Sequence, residues 1–170
     1  MTDVSFRNMK DKELNDFISY SIKLYAKFIY QHKESSYPKA LQASRKEVFS
    51  YFPNGKASDR ECFIKIIRNS DQQVIGNIWV SIVNNKQRNY SFLQWINIDE
   101  AYLRQSFAKQ ALVLLEEKLK NQGLKQLDLC VFAKNYAARK LYNKLDYKIT
   151  SSEKYGKAKE ATRIRMRKLL

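Results

Sequence analysis

The stretch NYAARKLYNKLDY, residues 135–147, decides the fold and raises the question of function. It predicts a short helix from Tyr136 to Leu145, and it closely follows LDLCVF, residues 127–132, a run that is almost continuously apolar. A strand that is apolar on both faces, and that comes after a strand and a helix, is typical of a βαβ crossover with parallel strands. The segment after it carries two polar side chains, Asn135 and Tyr142, that a purely structural helix does not need.

The remaining sequence predicts an ordered series of strands and helices around this unit. Alternating or continuous apolar residues predict strands at Val4–Met9, Cys62–Arg68, Val74–Val83, Tyr90–Ile98, Leu127–Phe132, Tyr147–Ser151 and Ala161–Leu169. Apolar residues three and four apart predict further helices that begin at Asp11 and Pro38, and a third at Phe107–Asn121. Turns are expected at 53–55, 69–73, 84–89 and 152–160. The order is β α α β β β α β α β β, with Tyr90–Ile98 parallel to Leu127–Phe132.

The composition is that of a globular protein. The chain is 44% hydrophobic and 29% charged, and we expect residues 1–170 to form one domain. One His and two separated Cys do not make a zinc site of the usual kind, so no metal is expected. Cys62 and Cys130 lie in apolar runs and are expected to be buried free thiols. The charged start of the chain predicts neither a signal peptide nor a membrane span, and we expect a cytoplasmic protein.

The chain is strongly basic. It has 32 Lys and Arg against 17 Asp and Glu, a formal net charge of +15, which attracts polyanions. Three interpretations remain open: a nucleic-acid partner, a phosphorylated cofactor or acidic substrate, and a Lys-rich surface without a specific partner. Because the basic residues are spread along the whole chain rather than gathered in one run, nucleic acid is the least favoured of the three.

The segment VFAKNYAARKLYNKLDY resembles the last core segment of the GNAT superfamily of acyl-CoA N-acyltransferases, in which a strand is followed by Asn-x-x-Ala-x-x-Leu-Tyr, and then usually by Gly and an aromatic residue. The positions that fit are Asn135, Ala138, Leu141, Tyr142 and Tyr147, while Asp146 stands where Gly is usual. The N-terminal part, from SFRNM through YFPNG to VIGNIWV, resembles a bacterial subgroup of these enzymes. The resemblance implies an α/β (α+β) fold: a mixed, mostly antiparallel twisted sheet with a central parallel strand pair and about four helices.

A second resemblance lies in LRQSFA, residues 103–108, which is similar to the superfamily's loop for the pyrophosphate of coenzyme A. That loop normally has Gln or Arg, two residues, Gly, one residue, and Gly or Ala; Ala108 fits, whereas Leu103 and Ser106 depart. A helix N-terminus stabilises a phosphate through its unpaired N–H groups. A left-handed Ser106 would cost on the order of 1–2 kcal/mol; alternatively, Ser106 caps the helix. The resemblance assigns cofactor binding to Arg104, Gln105, Ser106, Phe107, Ala108 and Lys109. The alternative is a capped amphipathic helix without a ligand.

The resemblance further implies direct transfer of an acetyl group from acetyl-CoA to an amine. Ile96, Asn97 and Ile98 would line the slot for pantetheine, where this strand spreads from its parallel neighbour and a backbone N–H polarises the thioester carbonyl. Tyr142 would give a proton to the leaving thiolate. Asn135 and Ala138 would lie beside the cofactor. For the two isoleucines and Tyr142 the alternative is a purely structural place in the core.

The general base stays open. Carboxylates are frequent in the subgroup on the strand before the cofactor loop, but this chain has Trp95 and Asn97 there. Asp99 and Glu100 lie just beyond, and deprotonation relayed through water is the alternative.

The main hypothesis is therefore an acetyl-CoA-dependent N-acetyltransferase that acts on a small-molecule or protein amine, as a monomer or homodimer. The alternatives are a catalytically impaired module that binds CoA or a polyanion, and an RNA- or ribosome-associated protein. The acceptor pocket is expected around Tyr20–Tyr51, a segment rich in Tyr and Lys, and to favour an acidic or aromatic acceptor over a polyamine.

Overall fold

A computed structural model of the chain describes residues 3–32, 36–53, 56–84, 89–154 and 160–170. Within these ranges the chain forms seven strands and four α-helices. The strands are β1 Val4–Asn8, β2 Glu61–Arg68, β3 Val74–Asn84, β4 Asn89–Ile98, β5 Gln126–Phe132, β6 Lys148–Glu153 and β7 Arg163–Leu169. The helices are α1 Asp11–His32, α2 Tyr37–Phe49, α3 Phe107–Asn121 and α4 Tyr136–Lys144, with a short 3-10 helix at Glu100–Tyr102.

All seven strands belong to one sheet, in the order β1-β2-β3-β4-β5-β7-β6. Every neighbouring pair is antiparallel except β4 and β5, which are parallel and joined by α3. The predicted fold class and the predicted parallel pair are confirmed. The parallel arrangement follows from the crossover, because a chain that passes over the sheet through a helix re-enters it in the same direction.

Two apolar clusters cover the two faces of the sheet. The larger one lies between the sheet and helices α3 and α4, and its members include Leu112, Leu127, Leu129 and Tyr142. The smaller one packs α1 and α2 on the opposite face around Phe17, Phe63 and Trp79, among others. Alternate residues of a strand point to opposite faces, so β2, β3 and β4 supply side chains to both clusters.

Most predicted boundaries agree with the observed ones to within one or two residues. The predicted turn at 53–55 and the connections at 84–89 and 152–160 fall partly outside the described residues. Cys62 and Cys130 are free but only half-buried, so the expectation of buried thiols is wrong. Cys62 packs at the edge of the larger apolar cluster, and Cys130 lies on the opposite face of β5 beside Arg163, details that an apolar run alone does not reveal.

No helix in the described part of the chain has both the length and the apolar character needed to cross a membrane.

Candidate functional site

A cleft opens in the middle of the sheet between β4 and β5. The two strands pair only at Ser91–Leu127, Phe92–Asp128 and Leu93–Leu129, although β4 continues to Ile98 and β5 to Phe132. A bulge marks the point of divergence, because Trp79 of β3 pairs with Trp95 while its neighbour Val80 pairs with Leu93. Gln94 is the extra residue, and such a residue bends its strand. The cleft therefore begins directly after Leu93 and Leu129.

The far half of β4 presents to this cleft backbone groups that pair with no strand among the described residues. The N–H of Asp99 donates to the carbonyl of Ile75 on β3 at 2.9 Å, and the carbonyl oxygen of Asn97 lies against Gly76 of β3. In an antiparallel pair, backbone polar groups point alternately toward and away from the partner strand. Since Asn97 and Asp99 turn theirs toward β3, Ile96 and Ile98 turn theirs toward β5, from which β4 has separated.

The side chains of the three predicted slot residues divide between the two faces. Ile96 and Ile98 pack against the larger apolar cluster. Asn97 lies on the opposite face, where its Oδ1 accepts hydrogen bonds from Asn77 at 3.1 Å and from Trp95 at 2.9 Å. The structure thus places all three on the diverging segment, with the two isoleucines contributing apolar side chains as well as backbone edges.

The turn before α3 contains two residues in the left-handed region. Arg104 has φ 61° and Ser106 has φ 65°. Ser106 occupies the N-cap position, but its side chain makes no capping hydrogen bond, so the interpretation of Ser106 as a side-chain cap is wrong. Each such conformation costs about 1–2 kcal/mol for a residue with a Cβ. Strain of this kind persists where the surrounding structure holds the backbone in place, frequently at binding sites.

The first turn of α3 offers backbone donors on an exposed surface. The first helical hydrogen bond runs from Gln110 N–H to Ser106 C=O at 3.0 Å, which leaves the N–H groups of Phe107, Ala108 and Lys109 outside the helical ladder. Phe107 anchors the turn in the core, whereas the predicted residues Arg104, Gln105 and Lys109 are exposed. The end of the helix dipole and two cationic side chains therefore favour an anion here.

Asn135 lies directly before α4 and caps this helix. Its Oδ1 accepts a hydrogen bond from the N–H of Ala138 at 3.1 Å, which caps the helix. Asn is a favoured residue for this task. The amide nitrogen of Asn135, which has no bond to another described residue, is exposed with its side chain.

Tyr142 is the buried polar residue of α4. Its side chain is 6% exposed and its ring lies 5.6 Å from that of Tyr147. Its hydroxyl makes no hydrogen bond to any described residue, whereas the hydroxyl of Tyr147 donates to Glu116 at 2.8 Å. Burial raises the pKa of Tyr142 to about 12, so the hydroxyl keeps its proton throughout the neutral range. Asp146, which follows α4, has φ 67°, a conformation that explains why Gly is usual there.

An open groove of about 730 Å³ lies on the sheet face opposite Tyr142. Its floor is formed by side chains of β2, β3, β4, β5 and β7, and its rim by the end of α2 and the segment after it. The side chains used in the argument below are Tyr51, Glu61, Gln94, Asp128, Arg163 and Arg165. Of the predicted acceptor segment Tyr20–Tyr51, only Glu47, Ser50 and Tyr51 line this groove, and its cations are arginines rather than lysines.

Glu61, Gln94 and Ser81 form a polar chain on the groove floor. Gln94 donates from Nε2 to the hydroxyl of Ser81 at 3.0 Å, and Ser81 donates to Oε2 of Glu61 at 2.6 Å. Trp79 donates to the same Oε2 at 2.6 Å, so Oε1 of Glu61 has no partner among the described residues. The predicted alternatives, Asp99 and Glu100, are exposed at the far end of β4.

Sequence reasoning did not identify the groove residues that lie on the sheet. A signal was present in RIRMR, residues 163–167, where a basic residue at every second position places three arginines on one face of a strand. Glu61 and Gln94 carried no such signal, since their roles depend on the pairing of β2, β3 and β4.

Comparison with known proteins agrees with this geometry. A sequence profile of the acetyltransferase (GNAT) family matches residues 26–147. YycN of Bacillus subtilis (strain 168), named an uncharacterized N-acetyltransferase, is 26% identical over 144 residues, which cover 84% of this chain and 90% of YycN. The crystal structure of YycN has a TM-score of 0.80 and 24% identity, covering 92% of this chain and 99% of that chain.

A second similar protein is the PaiA N-acetyltransferase of Thermoplasma acidophilum, whose crystal structure is a complex with coenzyme A. It has a TM-score of 0.64 and 16% identity, covering 98% of this chain and 99% of that chain. The family match spans α1 from residue 26 to the end of α4, and so includes the cleft, the turn before α3 and Tyr142.

Proposed function

This chain belongs to the GNAT family of acetyltransferases and is an N-acetyltransferase; we propose that it takes its acetyl group from acetyl-CoA bound in the cleft between β4 and β5. The observation that carries this proposal is the divergence of the two strands after Leu93 and Leu129, which exposes the backbone edge of Ile96 and Ile98 inside a sheet. Buried backbone donors and acceptors rarely stay unpaired in a purely structural sheet.

Acetyl-CoA supplies an activated thioester, whose carbonyl carbon accepts the electron pair of the amine and whose sulfur leaves. The backbone N–H groups of Ile96 and Ile98 are the donors that suit the thioester oxygen, because they are fixed by the strand and point into the cleft. Their apolar side chains exclude water from one side of it. The pantetheine chain, with its amide groups, fits an edge of alternating donors and acceptors.

The anionic end of the donor suits the turn before α3. This turn and the first turn of α3 supply the N–H groups of Ala108 and Lys109, which are outside the helical ladder, and the exposed side chains of Arg104 and Lys109. Leu103 and Ser106 depart from the superfamily pattern, but Ser106 and Asp146 adopt the left-handed conformations that Gly adopts without strain. The backbone shape is therefore kept, which favours a working enzyme over an impaired binding module.

Tyr142 is the group proposed to protonate the sulfur that leaves. It lies in the core cluster on the α4 side of the sheet, and its hydroxyl keeps its proton because burial raises its pKa to about 12. No described residue competes for that hydroxyl. The amine then approaches from the other face, through the groove that reaches Gln94 at the start of the cleft.

Glu61 is the carboxylate proposed to receive the proton of the acceptor ammonium, directly or through water. Its Oε1 is free of partners in the described part of the chain, while Oε2 is fixed by Trp79 and Ser81. The other groove acid on the sheet, Asp128, is already bound by both nitrogens of the Arg167 fork. A bacterial source for this chain is in keeping with the two Bacillus subtilis relatives.

A thermal melt with acetyl-CoA tests the proposal. At about 100 times its dissociation constant the ligand is expected to add about 2.7 kcal/mol of stability, which raises Tm by about 5–11 °C for a chain of this size. Pyrophosphate and ADP, in moderate salt, control for general attraction to the basic surface. A shift that these controls match would contradict the proposed cleft.

A further inference from the structure

The groove opposite Tyr142 has an excess of positive charge along one wall. On that wall β7 places Arg163, Arg165 and Arg167 on the same face. Arg167 is neutralised, because its Nε and Nη2 bind the two oxygens of Asp128 at 2.7 and 2.8 Å. Neither Arg163 nor Arg165 forms an ion pair with a carboxylate among the described residues. Both guanidinium groups therefore keep N–H donors that bind no carboxylate of the described residues, although Glu153, the register partner of Arg163 on β6, adds a negative charge near Arg163.

Both arginines are held in place by neighbouring side chains. Arg163 donates from Nε to the sulfur of Cys130 at 3.2 Å and is half-buried. The guanidinium carbon of Arg165 lies 5.5 Å from the ring centre of Phe92 on the groove floor. Residues two apart on a strand lie about 7 Å from each other on the same face. Such a pair is well suited to hold one carboxylate or phosphate, since each guanidinium forms paired hydrogen bonds with these anions.

This pair lies at a defined distance from the start of the cleft. Cys130 directly follows Leu129, the last residue of β5 that pairs with β4, and Arg165 is the register partner of Cys130 on β7. The backbone of Arg165 is therefore one to two strand spacings, or about 5–10 Å, from the point where β4 and β5 separate, and Arg163, the register partner of Phe132, lies two residues further along the strand. Gln94, at that point, lines the same groove.

We propose that the acceptor carries a carboxylate or phosphate in addition to its reactive amine, and that Arg163 and Arg165 bind this anionic group. The inference rests on the proposed function and names the substrate class of the same site. A polyamine lacks such a group, and two guanidinium groups in the groove of a chain with a net charge of +15 repel it. A neutral amine leaves both arginines without a ligand.

The test measures anion binding at the two arginines and, separately, turnover. The ¹⁵N resonances of the arginine Nε–H groups are followed in the full chain, with and without CoA, during titration with 6-aminohexanoate, phosphoethanolamine, hexylamine and spermidine. We expect one or both anionic probes to shift the Arg163 and Arg165 resonances saturably, and the two cationic probes not to do so. The carboxylate and phosphate arms distinguish the two anions.

Variants of equal charge separate a specific site from the general field. Arg165→Gln is expected to weaken the anionic probe about tenfold or more, as for loss of a hydrogen bond to a charged group. Arg45→Gln, on the exposed side of α2, removes the same charge away from the groove and is expected to leave binding unchanged. We also expect kcat/KM, measured with acetyl-CoA, to be higher for the anionic amines than for hexylamine and spermidine.

The proposal is overturned if the anionic probes leave the Arg163 and Arg165 resonances in place, if Arg45→Gln weakens binding as much as Arg165→Gln, or if spermidine or hexylamine is the better substrate. These results differ from failure of the proposed function. If acetyl-CoA raises Tm but the anionic probes do not bind, the proposed function stands and the proposed acceptor class is wrong. If the anionic probes bind at the two arginines but acetyl-CoA does not raise Tm, the proposed function is wrong and the anion site stands.

Discussion

Replacing Tyr142 with phenylalanine is expected to lower kcat by about 10²–10⁴-fold, with little change in the affinity for acetyl-CoA. The reason is that the substitution removes only the hydroxyl, which has no partner among the described residues and is proposed to protonate the leaving sulfur. The ring, which packs against Tyr147 and the core, is kept. Stability is therefore expected to change little, and steady-state assay of CoA release with an accepted amine measures the effect.

Tyr147→Phe is the matched control. It removes the hydroxyl of the neighbouring buried tyrosine, which donates to Glu116 at 2.8 Å. Leaving that carboxylate with one buried hydrogen bond fewer is expected to lower the free energy of unfolding by about 1–3 kcal/mol while kcat is retained. Tyr142 has no part in the chemistry if Tyr142→Phe keeps full kcat, or if both variants lose activity only in proportion to their loss of folded protein.

Replacing Gly76 with alanine is expected to lower the free energy of unfolding by about 3 kcal/mol, the upper end of the usual cost of overpacking. A Cβ at this position would lie 2.2 Å from the backbone oxygen of Asn97 and 3.2 Å from the Cα of Ile98. A strand must move to relieve that clash, because no flexible side chain is involved. Tm is expected to fall by about 6–12 °C, and acetyl-CoA to bind more weakly, since the displaced segment forms one edge of the cleft.

Gly123→Ala is the matched control, because it separates the steric clash of a new Cβ from the cost of a left-handed backbone in a residue other than glycine. Gly123 has φ 80° and ends α3, and a Cβ there would meet nothing within 4 Å. Only the left-handed backbone is disfavoured, at about 1–2 kcal/mol, and acetyl-CoA affinity is expected to be unchanged. Equal losses of stability in the two variants, or normal acetyl-CoA binding by Gly76→Ala, would show that the contact between β3 and β4 does not shape the cleft.

The order of elements could be predicted because each leaves a local pattern. The nearly continuous apolar run at Leu127–Phe132 after a helix is sufficient to indicate a crossover, and the parallel pair follows from it. The short length of that pairing could not be predicted. It depends on a bulge at Gln94 and on the register between β3 and β4, which no single segment encodes.

Only the parts of the site that lie in one contiguous stretch of sequence could be predicted. Tyr142 and the turn before α3 lie in contiguous motifs, whereas Arg163, Arg165 and Glu61 come together only through sheet order. For Asn135 the sequence cannot separate two roles, because Asn at this position suits both a helix cap and a contact with a ligand. For Ser106 the sequence left two conformations open, a left-handed backbone or a capping side chain, and the structure has the left-handed backbone without the capping hydrogen bond.

The most direct measurement is a ¹H–¹⁵N correlation spectrum of the labelled chain during titration with acetyl-CoA in moderate salt. The central claim predicts that the backbone amide resonances of Ile96, Ile98, Ala108 and Lys109 shift together and saturate at one ligand concentration. Pyrophosphate alone should move only the two amides at the start of α3. Shifts scattered over exposed lysines, with Ile96 and Ile98 unchanged, would contradict binding in the cleft between β4 and β5.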